Sequence, residues 1–132
     1  MRRLLVVTAL LEGVTGLALV AIPSRLVTLL LGSSIDAPAA VTLARIAGVA
    51  LVALAVTCWL ARGDAQSRAA RGLVAAMALY HTGAAIVLAY ASIGLALSGL
   101  GLWPTVLFHA AMTVWCYWRS NSSAARTIGT GE

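Results

Sequence analysis

The chain has 132 residues, 61% of them hydrophobic and 10% charged, and its mean hydropathy of +0.97 lies outside the range of soluble globular domains. That balance excludes a water-soluble domain. With about 20 apolar residues needed per bilayer crossing, there is room for four spans, short connections and no second domain. The formal charge of +5 comes from arginine alone, since lysine is absent, and it reads as membrane topology and contact with anionic lipid. The arginines form no basic stripe, which argues against nucleic-acid binding.

In chain order, a first helix is expected over residues 4–22, ended by Pro23, which removes a backbone donor. Arg2 and Arg3 ahead of an apolar run imitate a secretory signal, but Glu12 interrupts the run and no A-x-A site follows. Thr8, Glu12, Thr15 and Gly16 recur at helical spacing and make an inward polar stripe, with Leu5, Val6, Leu10, Val14 and Leu17 on the other faces. The segment SRLVTLLLG is too short to span and reads as an interfacial helix lying on the outer surface.

Asp36 as N-cap and Pro38 in the first turn open a second helix over residues 38–61. Arg45 lies about 10 Å below its start at ~1.5 Å per residue, able to snorkel outward or to reach Glu12. Ala44 and Gly48 allow close backbone approach. The hydrophilic stretch over residues 61–72, with Arg62, Arg68 and Arg71, is the expected cytoplasmic loop. A third helix follows over residues 73–97, then a tight SGLG turn, a fourth helix over residues 103–118 and a disordered polar tail over residues 120–132.

The expected fold is therefore all-α: an antiparallel bundle of four transmembrane helices in one domain, residues 1–119. Arg2, Arg3, Arg62, Arg68, Arg71, Arg119 and Arg126 fall on one side against Arg25 on the other, which places both termini in the cytoplasm. Trp59, Trp115, Tyr117 and Trp118 mark the inner ends of helices and Trp103 the outer end. The lysine-free, Ala- and Arg-rich composition fits a bacterium with a GC-rich genome, and hence a bacterial inner membrane.

Chemistry, if any, rests on Glu12, Arg45, Tyr80, His81 and His109. An acidic side chain at bilayer mid-depth costs about 2.5–3.5 kcal/mol on insertion scales, so Glu12 should face other helices and meet a donor, with Arg45 as candidate. It reads either as a buried structural group or as a site where a proton competes with a cationic ligand. His81 and His109, on consecutive helices, read as hydrogen-bonded packing residues, as axial ligands of one haem, or, with Tyr80, as binders of a quinone or lipid headgroup. Thr105, His109, Thr113 and Cys116 share one face of the fourth helix. Cys58 and Cys116 read as packing residues near cytoplasmic helix ends, and no metal site is expected. No H-E-x-x-H, C-x-x-C, P-loop or G-x-S-x-G occurs, so an enzyme is unsupported. The remaining alternative is a structural or assembly subunit, as a homo-oligomer or with other membrane subunits.

The run ALLEGVTGLAL resembles the start of small multidrug resistance transporters, which implies proton and cationic-drug exchange at Glu12. Arg45 departs from that family's pattern and would repel cations. Over its full length the layout resembles small uncharacterised bacterial four-helix membrane proteins, including DoxX-like ones, through its Pro-ended first helix, RIAG in the second and LWPTVLFH opening the fourth. That resemblance implies a fold rather than an activity.

Overall fold

The computed structural model describes residues 1–128, with side chains to Ser120, so the last four positions of the expected tail lie outside the described residues. The described residues form five α-helices and no strand: α1 (Arg2–Ala21), α2 (Pro23–Leu31), α3 (Pro38–Ala61), α4 (Arg68–Ile93) and α5 (Leu102–Ile128), with a 3-10 turn at Arg62–Asp64. Three of them, α1, α3 with the turn after it, and α4, are long and apolar enough to cross a membrane.

Proline and glycine set most boundaries. Pro23 ends α1 and starts α2, with Ile22 between them out of helical geometry at φ −133° and ψ 52°. Gly32, at φ +72°, ends α2 in the left-handed conformation that glycine adopts without penalty. Pro38 occupies the first turn of α3, which makes Ala37 the N-cap in place of the expected Asp36. The Asp36 carboxylate instead accepts from the Ser34 hydroxyl at 3.0 Å.

The expected loop over residues 61–72 is largely helical. Arg62 folds back, donating to the Trp59 carbonyl with its guanidinium 3.7 Å from that ring's centroid. Ser67 then caps α4, its hydroxyl accepting from the Ala70 N–H at 3.1 Å, so the helix begins five positions before the expected 73. Arginine and alanine are good helix formers whatever their exposure. At the other end α4 stops at Ile93, ahead of the expected 97, and Ala96 adopts a left-handed φ of +54° in the following turn. Helix α5 starts at Leu102 and continues past Trp118 to Ile128, because no glycine or proline interrupts residues 119–128; the expected break at 119–120 falls inside it.

Helix α1 packs chiefly on α3, and α4 on α5. A Cβ on Gly16 would lie 2.7 Å from the Gly48 carbonyl oxygen, and one on Gly48 would lie 2.7 Å from the Gly16 carbonyl oxygen, so only glycine permits this backbone approach. Gly13 meets Ala55, Gly16 meets Val52 and Gly48 meets Val20, so contacts advance along α1 as they recede along α3. The two pairs share one core, where Leu4 and Leu5 of α1 and Cys58 of α3 meet Met77 of α4 and Cys116 of α5. Helix α2 is tied to the turn before α5 by the Gly101 N–H donating to the Leu29 carbonyl at 2.9 Å.

The distribution of polarity is the reverse of a soluble protein's. Leu60, Leu79, Ile86 and Ile93 point outward, whereas Thr8, Glu12, His81 and His109 are buried. The inward face of α1 is Leu4, Leu5, Thr8, Ala9, Glu12 and Gly16; Leu5 turns in and Thr15 turns out, contrary to expectation. The 3.6-residue repeat drifts, and the stripe running 5, 8, 12, 16 leaves position 15 beside the lipid-facing side.

Candidate functional site

Glu12 sits in the middle of α1 with 4% of its surface exposed. Its partner is the phenol of Tyr80, which donates to Oε2 at 3.3 Å from α4. A phenol suits this position because its ring fills apolar space while the hydroxyl reaches one polar atom. One helical turn earlier on the same face, Thr8 is 1% exposed and its hydroxyl has no hydrogen-bond partner.

Arg45 is not brought to Glu12. On the register of α1 against α3, Arg45 lies level with Pro23, eleven residues from Glu12, a separation of about 16 Å along the helix at ~1.5 Å per residue. Its side chain is exposed and has no hydrogen-bond or ion-pair partner among the described residues. The expected buried ion pair is replaced by a neutral donor, which avoids burying a second charge.

His81 of α4 and His109 of α5 do come together. His81 is 0% and His109 7% exposed, and their Nδ1 atoms are 2.8 Å apart with ring centroids at 5.1 Å. Tyr80 contacts both rings, at centroid distances of 5.1 and 5.7 Å, and Phe108 meets His81 edge-on at 6.0 Å. Thr82 and Thr113 flank the pair, but their hydroxyls donate to the Ala78 and His109 carbonyls of their own helices at 2.7 and 2.9 Å. The Nε2 of His81 is buried with no partner.

Axial ligation of one haem iron requires the two imidazoles on opposite faces of the porphyrin. With the Nδ1 atoms in direct hydrogen-bond contact there is no such gap, and the residues do not fit that group. Cys58 and Cys116 are free thiols in the shared core, as packing residues would be.

The five singled-out residues therefore divide. Glu12, Tyr80, His81 and His109 form one mid-depth cluster through the Tyr80 ring and hydroxyl, and Arg45 stands outside it. The Glu12–Tyr80 bond and the Phe108 contact went unread in the sequence. Similar depth in two spans was the available signal for the first, and adjacency to His109 for the second. Compared with protein-family models, curated proteins and solved structures, the chain matches none.

Proposed function

We propose that the protein is a four-span antiparallel membrane bundle, of a bacterial inner membrane with both termini cytoplasmic, that binds a small polar or amphipathic ligand in exchange for a proton on Glu12. The carrying observation is the carboxyl itself, 4% exposed at the middle of a span with one neutral donor as partner. The Gly16–Gly48 contact joins α1 to α3 without any polar side chain, so the carboxyl, phenol and imidazoles are an added cost unless they hold something polar. The opposed order of contacts along α1 and α3 supports the antiparallel arrangement. The apolar part of α5, about 17 residues from Leu102 to Trp118, is at the short end of what crosses a bilayer. The resemblance of ALLEGVTGLAL to small multidrug resistance transporters agrees with proton exchange at Glu12.

The test is thermal stability of the detergent-solubilised protein across pH with candidate organic cations and lipids. A ligand of the native state raises Tm by mass action, and Glu12→Gln is expected to remove the pH dependence of that shift. If no compound moves Tm and Glu12→Gln leaves the pH profile unchanged, the binding reading fails. A second reading, an assembly subunit without ligand, is favoured by exposed Arg45, whose charge has no partner among the described residues. Arg45→Gln would then change the size of the complex recovered from membranes.

A further inference from the structure

We infer that His81 and His109 form a one-proton relay, with a single proton held between their Nδ1 atoms and exchanged through the outer Nε2 atoms. Its role rests on the proton-linked reading of Glu12. Its geometry does not.

Two ring nitrogens 2.8 Å apart have room for one hydrogen between them. In the neutral pair one ring therefore carries Nδ1–H and a bare Nε2, and the other carries Nε2–H and a bare Nδ1. A second charge is blocked. Two imidazoliums would point N–H at N–H across the same 2.8 Å, and the Tyr80 and Phe108 rings packed on the pair oppose a ring flip. The pair thus has a neutral and a singly charged state, and the latter strengthens the shared hydrogen bond.

The unpartnered Nε2 of His81 gives the pair a direction. It is bare when His81 donates and protonated when His81 accepts, so it is the atom whose state reports where the shared proton lies. A proton arriving there forms one N–H bond; the Nδ1 proton of His81 then passes to His109, and the Nε2 proton of His109 leaves. One proton enters and one leaves, and no other bond changes. A buried atom without a partner costs about 1–3 kcal/mol, which a packing histidine would avoid by turning Nε2 toward an acceptor. The hydroxyls of Thr82 and Thr113 donate to backbone carbonyls of their own helices and lie 3.4 Å from each other, and neither is a partner of that nitrogen.

The titratable groups of the surrounding core are Glu12 of α1, Cys58 of α3, Tyr80 of α4 and Cys116 of α5, and no arginine among the described residues is buried. Glu12 is the one buried carboxyl among them. A single positive charge on the histidine pair is balanced by a single negative charge on Glu12, so the cluster can redistribute a proton without acquiring net charge.

The chain has two histidines, so the protein labelled with nitrogen-15 at histidine and carrying no polyhistidine tag gives spectra of these two rings alone. In phosphatidylglycerol nanodiscs at neutral pH, one ring is expected as the Nδ1–H tautomer and the other as Nε2–H, with nitrogen–nitrogen coupling across the shared hydrogen. Acidification followed in the same spectra should show one proton taken up by the two rings together, and in His81→Gln the single remaining ring should take up that one proton alone, without nitrogen–nitrogen coupling. Two Nε2–H tautomers without coupling, or uptake of two protons by the two rings, overturn the relay. Should His81→Gln fail to fold, the tautomers and coupling of the unaltered protein still decide. Absence of any ligand-induced Tm shift would remove the Glu12 reading while leaving these spectra intact, so the two ideas fail separately.

Discussion

A carboxyl inside a span keeps the partners that its helix face brings to it, and for Glu12 that partner is Tyr80. Tyr80→Phe and Glu12→Gln are expected to be coupled by about 0.5–3 kcal/mol in a double-mutant cycle read by denaturation in detergent, as for residues in contact. Arg45→Gln should change stability by no more than about 0.5 kcal/mol and show no coupling to Glu12, since it stands exposed about 16 Å away. Strict additivity of the Glu12 and Tyr80 substitutions would remove the hydrogen bond from the account. At Ala96, whose φ of +54° suits glycine, Ala96→Gly should raise stability by about 1 kcal/mol. That Glu12, His81 and His109 are buried was legible from their rarity in apolar surroundings, although Thr15 and Arg45, singled out with them, are exposed. Which of them meet was not legible, because the sequence shows depth along one helix and not the register between two. The buried cost of Glu12 pointed to the strongest donor nearby in sequence, Arg45, whereas packing supplied a weaker one 68 positions away.

At the scale of the element, α1 and α3 are held by surfaces that have no side chain at their closest point. Gly16→Leu or Gly48→Leu would drive atoms into backbone carbonyls 2.7 Å from where a Cβ begins, and the cost should be at least the about 1–3 kcal/mol typical of overpacking. Gly63 and Gly72, with nothing near them, should accept alanine without loss, and comparison of melting curves checks both statements. Ser67→Ala removes the cap of α4 and should cost about 1 kcal/mol. The bounds of α3 were read correctly from Pro38 onward, because proline at a first turn is a local signal. Helix α4 starts at Arg68 and not at the expected 73 because polarity does not distinguish a loop from an exposed helix: Arg and Ala propagate a helix as well exposed as buried. Helix α5 was cut short for the same reason.

The whole molecule consists of two helix pairs, α1 with α3 and α4 with α5, joined by a small core and one mid-depth hydrogen bond. If both termini are cytoplasmic, a periplasm-active reporter should be silent when fused after Asp64 and active when fused near Asp36; the opposite pattern overturns the topology. The all-α class was legible in composition and spacing, and three of the four expected spans are helices long and apolar enough to cross a membrane. That the first and second spans, α1 and α3, approach through small residues was legible at Gly48, marked for close backbone approach, and which residue it meets was not; the α4–α5 pair follows the α1–α3 pair in chain order. That order has a consequence for synthesis. Tyr80 is translated 68 residues after Glu12, a delay of about 3–14 s at ~5–20 residues per second, and for that interval the carboxyl has left the ribosome without its phenol. Chains truncated after Asp64 hold that interval open indefinitely. They are expected to be degraded several-fold faster in pulse-chase than the same truncation carrying Glu12→Leu, and equal half-lives would mean that the unpartnered carboxyl goes unnoticed by membrane quality control.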